Sequence, residues 1–409
     1  MSLRVLPPVP DSRCSRTWAE IDLTALAENV AVLRGLGQPF GEPMAVVKAD
    51  AYGHGAAEVA RACERNGVGH FGVACVDEGR SLRRAGITAE IYVLSPFLPE
   101  EAPEIIGSDL IPFVSSPVQL QALRDAAAGA ERPARCFLAI DTGMGREGCL
   151  PEEAVALYRA ATVADRQAGV RITGVVTHFS RADEPGIGDD VSAGQAERFV
   201  GALRTLNAIS PFAHARDGRG GRGLYLSLAN SPATLRLDHG QPITGARGFL
   251  MRCGLLTYGI EPYADAYADC PDVHAILSWR TRVTLLRHLP TGATVGYGQT
   301  RTLARPSRIA TLAVGYADGL SRKLSNRGVI LLRGRRYSIV GRVSMDQCQV
   351  DVTDAGDAVS LGDVATLIGA DGAEGISALE MAELIGTTPH EPTCALTARV
   401  PRLYLMPPS

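Results

Sequence analysis

A chain of 409 residues exceeds what one ordinary hydrophobic core supports, which predicts two domains, one of them large enough to be a barrel. With 46% hydrophobic and 21% charged residues it is not a disordered chain, and a net charge of −3 gives neither nucleic acid nor an anionic membrane surface an electrostatic reason to bind. No apolar stretch is long enough to span a bilayer, and the prolines of MSLRVLPPVP at 1–10 interrupt the continuous apolar core that an export signal needs. Nine cysteines, odd in number and scattered, show no Cys-x-x-Cys or zinc spacing, so the expectation is a reduced, cytoplasmic protein without a bound metal.

After a leader segment at 1–15, Leu23, Leu26, Val30 and Leu33 recur at helical spacing behind Asp22, a residue suited to the N-cap. Eight apolar runs then follow at 44–48, 70–75, 91–95, 110–115, 135–141, 172–180, 224–230 and 249–255, separated by segments of helix length. Runs that are continuously apolar rather than alternating belong to strands buried on both faces, as in a parallel sheet. Eight repeats of this kind over roughly 250 residues predict a (β/α)₈ barrel over 16–271. The string RDGRGGRG at 216–223 reads as a solvated loop. Past 271 the helical period gives way to short β-branched runs at 275–289, 308–314, 329–333, 337–343, 348–352 and 364–368. These predict a mostly β domain over 272–409. One helix is expected at 377–385, opened by a capping box of Ser377 and Glu380.

The chemistry-bearing residues fall where a barrel enzyme keeps its active site, at the C-terminal ends of the strands. Lys48 closes the first run in AVVKADAYGHG, and Arg146 follows the fifth in DTGMGR. His178 lies near the end of the sixth, Ser231 follows the seventh in ANS, and Arg252 lies in the eighth. A lysine at the end of a buried strand is ordinarily one that reaches back to water. A desolvated lysine also loses its proton readily and attacks carbonyls. Five such residues on one rim favour the second reading.

These stretches, together with VGYG at 295–298, GYADG at 315–319, GRVSMDQ at 341–347 and the closing RVPR at 399–402, resemble the alanine racemase family over nearly the whole chain. The resemblance implies an amino-acid racemase with a pyridoxal 5'-phosphate cofactor, a small amino-acid substrate and a homodimer with shared active sites. Carried over, Lys48 would hold the cofactor and act as one acid/base, and Tyr297 of the second subunit would be the other. His178 would pack against the cofactor ring and Arg252 would face its nitrogen. Tyr52, Ser231, Gly254 and Leu255 would hold the phosphate. Arg146 and Met345 would bind the substrate carboxylate, and Tyr316 would guard the way in.

Three positions depart from the family pattern. Ala139 stands where a carbamylated lysine commonly orients the carboxylate-binding arginine, Ser227 where a histidine usually links to the ring-nitrogen arginine, and Ala398 where a tyrosine usually lines the pocket. With Ala139, Arg146 must be oriented by an anion, a water or a neighbouring side chain, and a bound chloride is the most economical expectation. With Ala398, the freed space implies a substrate range that reaches serine. Amino-acid decarboxylases of related architecture, and a degenerate cofactor-binding homologue, are the competing readings. Tyr297 opposite Lys48 argues for proton exchange over loss of the carboxylate.

Overall fold

A computed structural model describes residues 16–406 except 129, 131, 165–168, 216–220, 237–244, 267 and 269–271, so the leader and most of the arginine- and glycine-rich string lie outside the described residues. The chain divides into two units, Val30–Ala51 with Ala56–Thr257, and a second made of residues 16–29, 52–55 and 258–406.

The first unit is the barrel. After a first strand β1 (Thr17–Asp22), eight strands close on themselves: β2 (Gly41–Val46), β3 (His70–Val73), β4 (Glu90–Val93), β5 (Leu110–Val114), β6 (Ala134–Ala139), β7 (Val170–Val176), β8 (Tyr225–Ser227) and β9 (Gly248–Cys253). All neighbouring pairs are parallel, and Met44 opposite Arg252 closes the ring. Each strand answers one of the eight apolar runs. The interior is filled by Met44, Tyr92, Phe113, Phe137, Val176, Tyr225 and Leu250 among others, with Ala139 packed into the same cluster. One polar group is built into this interior. His70 lies 3.1 Å from the Tyr92 hydroxyl and 3.1 Å from Glu42, which also accepts from Tyr225 at 2.8 Å. Those bonds, led by the one to His70, hold the Glu42 carboxyl down at about 2.

Strand β2 stops at Val46, two residues short of the expected end, because the chain then enters a left-handed turn. Ala49, Asp50, Ala51 and Tyr52 have φ between 50° and 55°. Left-handed backbone costs an L-residue about 1–2 kcal/mol, so the neighbours must hold it. Within the barrel unit, Glu78 accepts from the Ala49 amide at 2.7 Å and Asp50 from the Ala56 amide at 2.8 Å.

The second unit is mostly β. Its central strand β10 (Leu277–Leu289) pairs antiparallel with β1 and with Val364–Asp371. The first strand therefore does not go with the barrel, although the expected boundary placed it there. Thr17–Asp22 is buried throughout, and its Glu20 carboxylate meets Arg280 of β10 at 3.1 Å. A buried acid needs such a partner. On the other side β1 runs parallel to Arg402–Leu405, the last described strand. The expected helix forms at Ala378–Ile385, with the Ser377 side chain accepting from the Glu380 amide at 3.0 Å.

Candidate active site

The barrel rim collects seven of the expected site residues in one unit: Lys48, Arg146, His178, Ser231, Arg252, Gly254 and Leu255. Arg252 is the best-anchored of them. It is 5% exposed and its guanidinium is surrounded by acceptors: Ser227 Oγ, the Thr177 carbonyl at 2.7 Å and His178 Nδ1 at 3.0 Å. Burial lowers its pKa to about 10, which leaves it cationic at neutral pH. Ser227 donates in turn to the Leu250 carbonyl at 2.6 Å. The departure at 227 thus keeps the link to Arg252 with a hydroxyl.

Because a guanidinium only donates, Nδ1 of His178 must accept, and the ring proton sits on Nε2. Burial first, then the charges of Arg252, Arg146 and Lys48, push the His178 pKa well below its usual 6.5. The imidazole is therefore neutral. The His178–Arg252 pair carries one positive charge, on the arginine. The charges of Lys48 and Arg146 thus act on His178 together with that of Arg252. Ser231 Oγ accepts from the amides of Gly254 at 3.0 Å and Leu256 at 3.2 Å, which ties the end of β8 to the turn after β9.

Two residues that sequence reasoning did not single out complete the rim. Gln195, fully buried on the helix Ile187–Ile209, donates to the His178 carbonyl at 2.9 Å and accepts from the Ser180 amide at 2.9 Å and hydroxyl at 3.0 Å. It also reaches Thr142, whose hydroxyl meets that of Thr177 at 2.7 Å. One side chain thereby joins the loops after β6 and β7. Glu147 is the other: its carboxylate accepts from Arg146 at 2.7 Å. A protein carboxylate in this position overturns the expectation of a chloride beside Arg146. An acid directly after the arginine of DTGMGR was the available signal, and it reads in sequence as one more solvated charge.

The remaining expected residues belong to the second unit. Tyr52 is buried against the rings of Tyr258 and His390, at 5.0 and 5.6 Å, and burial raises its pKa. Tyr297, Tyr316 and Met345 stand on loops packed around the segment 341–347. The Tyr316 amide donates to Ser344 and the Ala317 amide to Met345, each at 3.0 Å. Gly315 permits this approach, since a Cβ there would lie 2.2 Å from the Met345 carbonyl oxygen. Arg399 pairs with Asp318 at 3.2 Å and Asp346 at 2.8 Å, pinning both loops. The three side chains are exposed, Tyr297 by 72%. Ala398 is exposed beside Arg399. Among the described residues no group of histidine, cysteine and acidic side chains is arranged to hold a metal, and no helix is long and apolar enough to cross a membrane.

The chemistry of this rim is that of an amine, two guanidiniums, a neutral imidazole and hydroxyl and amide donors, suited to a carbonyl compound bearing anionic groups. The family model described as alanine racemase, N-terminal domain, matches residues 21–262, and alanine racemase, C-terminal domain, matches 276–404. The alanine racemase of Carboxydothermus hydrogenoformans is 38% identical over 388 residues, which are 95% of this chain and 99% of that one. The structure of alanine racemase from D-cycloserine-producing Streptomyces lavendulae aligns with a TM-score of 0.86 at 34% identity, covering 96% of this chain and 98% of that one. That of alanine racemase from Bartonella henselae, with covalently bound pyridoxal phosphate, aligns with a TM-score of 0.79 at 26% identity over 96% and 100%. With matches that take in nearly its whole length, this amino-acid isomerase belongs to the alanine racemase family.

Proposed function

We propose that the chain is a pyridoxal-phosphate-dependent racemase that interconverts L- and D-alanine, or a similarly small amino acid, by exchanging the α-proton between Lys48 and Tyr297. The observation that carries this reading is the buried Arg252 donating to Nδ1 of His178 on a barrel rim where Lys48, Arg146 and Ser231 also follow strand ends. The donor set fits the cofactor: a lysine amine for its aldehyde, Ser231 with the neighbouring amides of Gly254 and Leu255, and Tyr52, for its phosphate, and Arg252 for its ring nitrogen. When bound, the cofactor supplies the electron sink that acidifies the substrate Cα–H.

The chain's own groups do the rest. Racemisation removes a proton from one face of Cα and returns one to the other, so two groups on opposite faces suffice. Lys48 Nζ serves one face and Tyr297 Oη the other. Arg252 keeps its own proton, which leaves the ring nitrogen a weaker electron sink and limits side reactions. His178, neutral and fixed by Arg252, stacks without taking part in the proton exchange. Arg146 and Met345 receive the substrate carboxylate, and Tyr316 narrows the approach. The exposure of Tyr297, Tyr316 and Met345 supports a homodimer in which these side chains enter the partner's site. The free thiols, with Cys63, Cys136, Cys253 and Cys348 buried and pushed up to about 12, suit a reduced cytoplasmic setting.

Incubation of the purified protein with L-alanine in deuterated water, followed by chiral analysis, tests the reading. Deuterium at Cα and accumulation of the D-enantiomer are expected. Release of carbon dioxide would instead identify a decarboxylase, and absence of any exchange a degenerate homologue.

A further inference from the structure

We infer that Glu147 is a positioning residue that sets the Arg146 guanidinium for the substrate carboxylate, doing with a protein carboxylate what Ala139 cannot do; the inference rests on the reading of Arg146 as the carboxylate binder. Arg146 Nη2 donates to Glu147 Oε1 at 2.7 Å, and the two side chains differ in how they are held, Arg146 being 49% exposed and Glu147 18%. The acid is the fixed end of the pair and the arginine the end that reaches outward.

The loop 141–148 explains why Glu147 is fixed. At its start, the Asp141 carboxylate accepts from the amides of Gly143, Met144 and Gly145 at 2.8–2.9 Å. At its end, the Gly148 amide donates to Ser115 Oγ at 3.0 Å, and the Asp141 amide donates to the Cys149 carbonyl at 2.8 Å. Gly148 has φ 100°, and a Cβ there would lie 2.5 Å from the Asp141 amide, so the turn that presents Glu147 requires glycine. Asp141 is committed to the backbone. Ala139, two residues before the loop, is packed into the apolar interior of the barrel. Glu147 is thus the acid that this loop has available for Arg146.

Its charge reaches further. Glu147 supports the charged form of Arg252 against burial and against Arg146. A carboxylate bonded to Arg146 offsets part of the repulsion between the Arg146 and Arg252 guanidiniums.

The test uses the holoenzyme and the variants Glu147→Gln, Glu147→Asp and Arg146→Lys. Propionate, a carboxylate lacking the amine, serves as a binding probe read by calorimetry, beside the KM and kcat for alanine. Loss of one charge-assisted hydrogen bond predicts that Glu147→Gln raises the alanine KM and the propionate Kd by about tenfold, with a smaller change in kcat. Glu147→Asp should recover part of the loss. Sodium chloride should lower the raised KM of Glu147→Gln, because a halide can occupy the position beside Arg146, and should leave the native enzyme unaffected. A Glu147→Gln enzyme with native KM and propionate Kd overturns the inference, as does one whose loss is untouched by halide and by the Asp variant. If Arg146→Lys also leaves propionate binding unchanged, the reading of Arg146 itself has failed. If only Arg146→Lys weakens it, Arg146 stands and Glu147 does not.

Discussion

Arg252 donates to Nδ1 of His178 across 3.0 Å, and this one bond decides where the imidazole proton resides. With Nδ1 occupied as an acceptor, the ring carries its hydrogen on Nε2 and stays uncharged beside the Arg252 guanidinium.

The pH dependence of stability follows from that arrangement and from Glu42. His178 has a folded pKa well below 6.5, so below about pH 6.5 the unfolded chain takes up a proton that the folded chain refuses, and stability falls on acidification. Glu42 has its pKa lowered from 4.5 to about 2, so its contribution is present above 4.5 and is lost as pH falls through about 2. Thermal midpoints between pH 8 and 2 should therefore decline in two stages. His178→Gln should abolish the first stage and Glu42→Gln the second.

Ser227→Ala removes an acceptor from a buried guanidinium and should cost about 1–3 kcal/mol in chemical denaturation. Cofactor retention on dialysis should fall with it, because Arg252 loses one of the groups that hold it. Native retention would show that Thr177 and His178 suffice to fix the arginine.

Gln195→Leu is nearly isosteric and leaves the His178 carbonyl, Ser180 and Thr142 without their shared partner. A loss of about 2–4 kcal/mol is expected for this set of buried groups. Hydrogen exchange should speed up in both the 141–148 loop and the 177–180 segment. Acceleration in only one of them would mean that Gln195 does not couple the two.

Lys48→Ala should abolish the visible absorbance of the cofactor-loaded protein, and borohydride reduction of the native protein followed by peptide mapping should mark Lys48. Mixing inactive Lys48→Ala and Tyr297→Phe subunits should restore part of the activity, since each mixed dimer would keep one intact site. No recovery after verified subunit exchange refutes the shared site.

Ala398→Tyr should narrow the substrate range toward alanine. Apolar pockets separate substrates by about 1–3 kcal/mol per methylene, so the serine-to-alanine ratio of kcat/KM should drop by roughly 10-fold or more. An unchanged ratio would remove position 398 from the pocket.

The eight barrel strands were legible because burial on both faces writes an unbroken apolar run into each. The end of β2 was not, since nothing in Lys-Ala-Asp-Ala-Tyr announces four left-handed residues; the bonds that hold them reach outside the string, from Ala49 to Glu78 and from Asp50 to the Ala56 amide. The allegiance of Thr17–Asp22 was hidden for a similar reason. Its partner Arg280 is 260 positions from Glu20, and no local period encodes a pairing of that range. At the rim, residue types were readable and their orientation was not. Ser227 looked like a missing histidine, yet its hydroxyl accepts from Arg252. Glu147 looked like surface charge, until three backbone bonds to Asp141 and the turn at Gly148 set it against Arg146.

The first strand sits between β10 and the strand Arg402–Leu405, with Ala19 opposite Arg402. Read along the direction of synthesis, the β unit is begun first and finished last. At ~5–20 residues per second, the apolar strand bearing Trp18 and Ile21 waits on the order of tens of seconds for its final neighbour to leave the ribosome. Until then one edge of β1 offers unpaired backbone to any passing strand. Nascent-chain protection by a holding chaperone therefore matters more for this N-terminal segment than for the barrel strands, each of which meets a neighbour soon after it is made. Removing residues 402–405 would leave that edge open permanently, and the resulting chains should self-associate through their beginnings.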